Sequence, residues 1–329
     1  MNCKNISKKI LYWYDNNKRI LPWRKKVSLK KREYYTLVSE FMLQQTQVKT
    51  VIPYFDNFIK KIPNINSLAK VKNETLMRYW EGLGYYSRAR NLKKSAIKIL
   101  KEYNGRLPST IEELKALPGI GDYTSRAIMA IAFNKKIIPL DGNVERILKR
   151  VFYLRKADEI SKEYLNNKIF FFGSSNRASD YAQAIMEIGA LVCKPNNPLC
   201  IKCPISLNCV SFKKNDFIIK TKNKFKKTKY FEAKIYQNND QYLLVKNHKF
   251  NFLKNMPIFP MNEVGEKKYK YSNSKKINIK LSNMDMKIIL NKVDRLPNIK
   301  NKILLDRAHT KSIILPSFTK KIFSSVSKI

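Results

Sequence analysis

The sequence predicts an all-α N-terminal domain followed by a small α+β C-terminal domain. Three observations carry that reading. Apolar residues recur at three- and four-residue spacings through residues 1–216. After about Tyr230 they give way to short, partly alternating runs such as FEAKIYQ, QYLLVKN, KKINIKLS and MKIILNKV. Between the two textures lies NDFIIKTKNKFKKTK, a lysine-rich stretch with no sustained period, which places a basic linker at 217–229. A chain of 329 residues is long for one domain and comfortable for two.

The helical part is punctuated by Pro53, Pro63, Gly82, Gly84 and Pro118. Thr110-Ile-Glu-Glu113 has capping-box spacing, so a helix is expected to start there. The segment YYTLVSEFMLQQTQVKTVI predicts one helix from about Tyr34 to Ile52, with Leu37, Phe41, Val48 and Ile52 as its buried stripe. Glu40 falls at the edge of that stripe near Gln44 and Gln47, and Gln45 falls inside the apolar arc. Burying such groups unpaired costs a few kcal/mol, about 1–3 by mutational measures. Either neighbouring helices satisfy them, or this edge faces a pocket.

Further along, ALPGIGDYTSRA (116–127) joins two helices through a turn that glycine negotiates cheaply. Amides around Gly119 and Gly121 at the start of the second helix suit an anion. A plain helix–helix corner is the alternative for this string alone. Eighteen residues after Tyr123 comes Asp141 in PLDGNVERIL, where a carboxylate ordinarily caps a helix.

Charge narrows the function classes. The formal net charge is +41, and basicity is spread along the chain. Residues 217–329 hold 26 Lys and Arg against 7 Asp and Glu, leaving 40 against 18 in residues 1–216. Such a field favours a polyanion, nucleic acid or an anionic surface, although a Lys- and Asn-rich composition alone would also raise it. No run of about 18 apolar residues is present, which excludes a membrane-spanning helix. The start, MNCKNISKKILYWYDNNK, has no signal-peptide core, so an intracellular setting with reduced thiols is expected.

Four of the five cysteines, Cys193, Cys200, Cys203 and Cys209, fall within 17 residues as C-x6-C-x2-C-x5-C, and Cys3 stands apart as a bystander. Four thiolates so close suit a metal site. Zinc sites of four cysteines usually come as two close pairs, and here there is one. Iron–sulfur clusters accept uneven spacing. The spacing resembles the 4Fe–4S loop of the endonuclease III and adenine DNA glycosylase group, and Lys194 and Lys202 among the ligands would meet a phosphate backbone.

Leu-Pro-Gly-Ile-Gly resembles the hairpin of helix–hairpin–helix DNA-binding proteins, and a hairpin followed by an aspartate at this distance resembles the pattern of the helix–hairpin–helix glycosylases. SEFMLQQTQV is similar almost letter for letter to a segment of the adenine DNA glycosylase (MutY) family. LPWR (21–24), VIPYF (51–55), GLGYYSRARNL (82–92), LDGNV (140–144) and QAIMEIGA (183–190) are similar too. Together they reach over most of residues 12–210.

The resemblance implies a helix–hairpin–helix glycosylase fold. It comprises a six-helix module at about 30–135, an iron–sulfur module from 1–29 and 136–216, and one 4Fe–4S cluster on the four cysteines. It implies a monofunctional enzyme that flips adenine out of a mispair with 8-oxoguanine or guanine and hydrolyses its N-glycosidic bond in base excision repair. Glu40 would be the general acid and Asp141 the stabiliser of the oxocarbenium-like sugar. Tyr123 and Asn143 would position the site. Arg24, Leu43 and Glu187 would line the adenine pocket, Gln45 and Tyr85 would insert beside the bases, and Gly119 and Gly121 would hold phosphate. The partner would be mispaired double-stranded DNA, with no membrane, and the protein a cytoplasmic, nucleoid-associated bacterial monomer.

The resemblance also implies a shortened, divergent MutT-like (Nudix) domain at 230–329 that senses 8-oxoguanine. LKNMPIFP (253–260) and SIILPSFTKKIF (312–323) carry that likeness, without the glycines of the first stretch, and Ser272 stands in the loop that would meet the oxidised base. No cluster of glutamates for Nudix hydrolysis is present, so this domain is expected to bind only. Two rivals remain. An endonuclease III-like glycosylase and lyase needs a lysine nucleophile at the position of Tyr123. An inactive iron–sulfur DNA-binding protein needs neither Glu40 nor Asp141.

Overall fold

The computed structural model describes residues 3–155, 160–219, 227–238, 241–281, 283–294, 297, 302–306 and 313–326. It divides into two compact units: Met1–Val71 with Ser87–Asn223, and Lys72–Tyr86 with Lys224–Ile329.

The first unit is helical among its described residues. It contains α1 (Cys3–Asn17), α2 (Leu29–Leu43), α3 (Val48–Lys61) and α4 (Ile65–Lys70). After α5 (Asn73–Trp80), which groups with the second unit, follow α6 (Ser87–Glu102), α7 (Ile111–Lys115), α8 (Asp122–Ile131) and α9 (Gly142–Val151). The unit ends with α10 (Lys162–Lys168), α11 (Ala178–Glu187) and α12 (Val210–Lys213). Helix α2 is buried on nearly every side, with Leu37, Val38, Phe41 and Met42 fully covered. That burial explains why Glu40 on the same helix is out of water. Helix α7 starts at the expected cap: Thr110 Oγ1 accepts from the Glu113 amide at 3.3 Å, but the Glu113 carboxylate accepts from the Thr110 hydroxyl at 2.7 Å and not from its amide, so only half of the capping box forms. A separate core gathers Ile6, Ile10 and Tyr14 of α1 with Val144, Ile147 and Leu148 of α9 and Tyr181, Ile185 and Ile188 from α11 and the turn after it.

The single helix expected from Tyr34 to Ile52 is two helices. Helix α2 stops at Leu43, α3 starts at Val48, and Gln45 between them has φ +57. At this break the carbonyls of Phe41, Met42 and Gln44 take their hydrogen bonds from the Arg88 guanidinium in place of helical amides. Gln45 is therefore exposed, not inside an apolar arc. The buried residues of α3 are Val51, Phe55 and Phe58, and Val48 and Ile52 are only partly covered. Periodicity could not show an interruption imposed by a residue 44 positions away.

In the second unit a seven-stranded sheet is built from β1 (Lys227–Asn238), β2 (Gln241–Lys246), β3 (Pro257–Ile258), β4 (Met261–Val264), β5 (Lys275–Leu281), β6 (Met284–Val293) and β7 (Lys302–Asp306). Its main path is β3-β2-β1-β6-β5, with β4 also on β1 and β7 also on β2. Strand β1 runs parallel to β6, Phe231 opposite Ile288 and Ala233 opposite Leu290, and antiparallel to β2 and β4. Alternate residues Phe231, Ala233 and Ile235 on β1 and Met286, Ile288 and Leu290 on β6 face one core. Helix α14 (Ser317–Val326) packs Phe318, Ile322 and Val326 against it. Helix α13 (Glu266–Tyr271) leads into Ser272 and the loop before β5. The four expected runs lie in β1, β2, β5 and β6. Strand β1 starts at Lys227, inside the expected linker, whose residues 220–226 lie outside the described ones.

Candidate active site

The first unit brings Glu40, Tyr123, Asp141 and Asn143 together. Glu40 is 6 % exposed on α2. Its pKa is pushed up to about 7, chiefly by burial and then by the charge of Asp141, while Arg24 and a hydrogen bond from Tyr123 pull it down. An acid in this range holds its proton near neutrality and can give it up. Tyr123, in the first turn of α8, has its phenol raised well above 10 by burial and by the two carboxylates, so it stays a neutral donor.

Asp141 is the N-cap of α9, as its position before a helix suggests. One oxygen accepts from the Asn143 and Val144 amides at 2.9 and 2.7 Å, and the other accepts from Asn143 Nδ2 at 2.9 Å. Burial raises its pKa, and these three donors, with Arg146, work against the rise. The pair is thus asymmetric: every donor fixed on Asp141 favours its charged form, whereas burial and a neighbouring negative charge favour the protonated form of Glu40.

Beside this pair Glu187, fully buried at the end of α11, binds two arginines. Arg19 meets it through Nε at 2.9 Å and Nη2 at 2.6 Å, and Arg24 through Nη2 at 3.0 Å. Burial alone would raise the Glu187 pKa, but the two arginines hold it below the usual range. Leu43 is the last residue of α2 and is partly buried.

The glycine turn packs against α2. Gly119 has φ +84, and a Cβ there would lie 2.9 Å from Phe41 and 2.8 Å from Asn91, so both conformation and space require glycine. Its carbonyl accepts from Gln44 Nε2 at 3.3 Å. Gly121 is the N-cap of α8. The proposed base-contacting residues are elsewhere: Gln45 is exposed on the turn after α2, while Tyr85, 42 % exposed with φ +47, and Ser272 belong to the second unit.

Cys193, Cys200, Cys203 and Cys209 line one pocket whose other walls include Ile147, Val151, Ile188, Val192, Ile205 and Phe212. Arg150, 4 % exposed, donates to Cys193 Sγ at 3.4 Å and to the Lys194 and Pro195 carbonyls at 2.6 and 2.7 Å. Among the described residues, no three His, Cys, Asp or Glu side chains are grouped to hold a single ion.

Residues 38–169 match the family model described as the HhH-GPD superfamily of base excision DNA repair proteins. Over 97 % of its length the chain is 36 % identical to an adenine DNA glycosylase of Buchnera aphidicola (subsp. Baizongia pistaciae), covering 96 % of that protein. This chain belongs to the adenine DNA glycosylase family. The human adenine DNA glycosylase is 42 % identical over 61 % of this chain and 38 % of its own. Among solved structures, a thermostable thymine-DNA glycosylase aligns with a TM-score of 0.57 at 26 % identity, covering 64 % of this chain and 97 % of that one. An endonuclease III–DNA complex aligns at 0.53 and 22 % identity, over 65 % of this chain and 98 % of that one, a likeness of fold.

Three residues of this family member escaped the sequence reading. Arg19 shares Glu187 with Arg24, and its only sequence signal is a second arginine five residues before the first. Arg146 donates to Asn143 Oδ1 and the Gly189 carbonyl, both at 2.8 Å, and to the Cys193 carbonyl at 2.7 Å, so it ties the Asp141 cap to the cysteine loop. Gly189 sits in a π-helical turn, Ile188–Val192, where a Cβ would lie 2.5 Å from the Asn143 Cβ. Such turns favour functional sites, and a glycine inside the helical pattern MEIGALV was their visible mark.

Proposed function

We propose that this protein, whose relatives are named adenine DNA glycosylases, is monofunctional and removes adenine mispaired with 8-oxoguanine or guanine. The observation that carries the reading is the asymmetric carboxylate pair, with a buried Glu40 raised to about 7 beside an Asp141 held by three donors.

Breaking an N-glycosidic bond leaves negative charge on the departing base and positive charge on the sugar. Glu40 donates its proton to the adenine ring, which makes the base a leaving group. Asp141 stays ionised and stabilises the oxocarbenium-like sugar. Asn143 and Tyr123 hold the two carboxylates in place, and water completes hydrolysis with Glu40 now able to accept a proton. A positioned acid of this kind contributes about 10²–10⁴ in rate. Arg24 and Glu187 line the adenine pocket with Leu43.

The base must leave the duplex for this chemistry. Gln45 and Tyr85 insert beside the bases, Tyr85 on the side of the 8-oxoguanine, and the α8 N-terminus at Gly119–Gly121 takes a phosphate. A MutT-like second domain, with Ser272 near the oxidised base, supplies the preference for 8-oxoguanine. The four cysteines fit one 4Fe–4S cluster. Apart from Ser206 and the Arg150 guanidinium, their pocket is lined by the four sulfurs and apolar walls, which suits a soft, multi-iron group. Held by Cys193, Cys200, Cys203 and Cys209, such a cluster would brace the loop that carries Lys194 and Lys202.

The reading is tested with a duplex carrying adenine opposite 8-oxoguanine in single turnover. Adenine release with strand breakage only after alkali is the expected result. Breakage without alkali, or a borohydride-trapped covalent complex on the productive path, would favour the endonuclease III-like rival.

A further inference from the structure

The backbone around Gln45 is held by a residue outside the carboxylate pair. A helix leaves its last four carbonyls without partners inside the helix. At the end of α2 every one from Glu40 to Gln44 is satisfied. The Glu40 carbonyl accepts from the Gln44 amide and that of Leu43 from the Thr46 amide, both at 3.2 Å. The other three share the two hydrogens of one atom, Arg88 Nη1: Phe41 at 3.0 Å, Met42 at 2.6 Å and Gln44 at 2.5 Å. Arg88 Nη2 donates to Thr46 Oγ1 at 3.0 Å. The guanidinium is 6 % exposed and sits in the first turn of α6.

These bonds bracket one residue. Gln44 lies before Gln45 and Thr46 after it, and both are bound to Arg88. Gln45 has φ +57, a region sparsely populated by residues with a Cβ, and such a conformation persists where its surroundings fix it. A planar guanidinium with a fork of donors can hold carbonyls and a hydroxyl at once, and a lysine ammonium on a single stem cannot reproduce that fork. The positive charge also suits the negative end of the α2 dipole.

We propose that Arg88 is a positioning residue for base extrusion: its clamp on Gln44 and Thr46 holds Gln45 in the left-handed turn from which Gln45 enters the DNA. This rests on the reading of Gln45 as the inserting residue. A merely structural cap on α2 would disturb Glu40 equally for every substrate. A clamp on Gln45 matters where a base pair has to be opened.

The test uses the full chain and two duplexes, one with the target adenine opposite 8-oxoguanine and one with it opposite an abasic analogue, where no pair is broken. Single-turnover rates are measured at saturating protein for Gln45→Ala, Arg88→Lys and Thr46→Val. With extrusion impaired, Arg88→Lys is expected to lose about tenfold or more on the paired duplex and Thr46→Val about fivefold, with both within about twofold of the parent on the unpaired one. Gln45→Ala combined with Thr46→Val should be no slower than Gln45→Ala alone. Should Arg88→Lys fail to fold, Thr46→Val carries the test, because it removes one hydroxyl and keeps the shape. Equal losses on both duplexes, or additive losses in the double variant, would overturn the proposal. If Gln45→Ala is slow and the other two are not, the Arg88 clamp alone fails. If Gln45→Ala is itself as fast as the parent, the insertion reading fails and takes the clamp with it, while adenine release by the parent keeps the glycosylase reading separate.

Discussion

Glu40 concentrates two opposing demands in one carboxyl. Its protonated form is the one burial favours, and the raised pKa of about 7 sets where that form is lost. The single-turnover rate on adenine should therefore fall above about pH 7, and Glu40→Gln should lose about 10²-fold or more at every pH. A pH profile flat from 6 to 9 would remove the acid role. The same shift affects stability. The folded pKa lies above the unfolded value of 4.5, so stability is fully present below about pH 4.5 and declines as pH rises towards 7, flattening above. Glu40→Gln escapes that decline and should be more stable than the parent at pH 8 by up to about 3 kcal/mol, with the advantage gone near pH 4. Denaturant melts at both pH values measure this. On the other carboxylate, Gly189→Ala places a Cβ where Asn143 now stands, 2.5 Å away. It should cost about 1–3 kcal/mol and displace the Asn143 bond to Asp141, with activity falling further than stability alone explains. Unchanged activity in a variant that melts normally would show that Asn143 has room to spare.

At the scale of elements, the ends of helices assemble the site and the middles pack the core. The α2 C-terminus carries Glu40 and Gln45, the α8 N-terminus carries Gly121 and Tyr123, and Asp141 caps α9. Gly119 is the place where two of these ends meet, since its missing Cβ makes room for Phe41 and Asn91. Gly119→Ala should destabilise the protein by more than about 1 kcal/mol through its φ of +84 and the close contacts together, and should weaken DNA binding along with it. A normal melting midpoint with normal DNA affinity would refute that. Sequence made these ends legible where the signal was local: the Thr110 cap, the glycine turn, the aspartate before α9. It failed where the cause was distant. Nothing within Tyr34–Ile52 announces that Arg88 will take two carbonyls of α2 and that of Gln44 after it, and nothing near Glu187 announces Arg19. The strands of the second unit show the same divide. Short β-like runs, several of them alternating, point to β1, β2, β5 and β6, whereas the two-residue β3 and the polar MNEV of β4 exist only through their register with β2 and β1.

Across the whole molecule the dominant property is charge. The excess of +41 is shared between both parts of the sequence, and the visible carboxylates are largely engaged: Glu187 by Arg19 and Arg24, Glu33 by Arg106, Asp15 by Arg177, Glu263 by Lys229. Among the described residues no helix is long and apolar enough to cross a membrane, so a membrane-spanning helix does not account for the excess. Binding to duplex DNA that lacks a lesion should then be driven by release of condensed counterions, and its affinity should track salt steeply. Chemistry at the carboxylate pair should not, because Glu40 is buried and Asp141 is partly so, which shields them from the solvent ions that screen surface charge. The two dependences separate experimentally. Fluorescence anisotropy on an undamaged duplex is expected to lose about 10³-fold or more in affinity between 50 and 200 mM salt, as for about six or more neutralised phosphates. Over the same range the single-turnover rate of saturated, mispaired duplex should change by less than about threefold. A shallow binding slope would mean that the basic surface reflects composition and not contact with the backbone. A rate that fell in step with affinity would mean that saturation was never reached or that the carboxylates are open to bulk ions, against the 6 % exposure of Glu40.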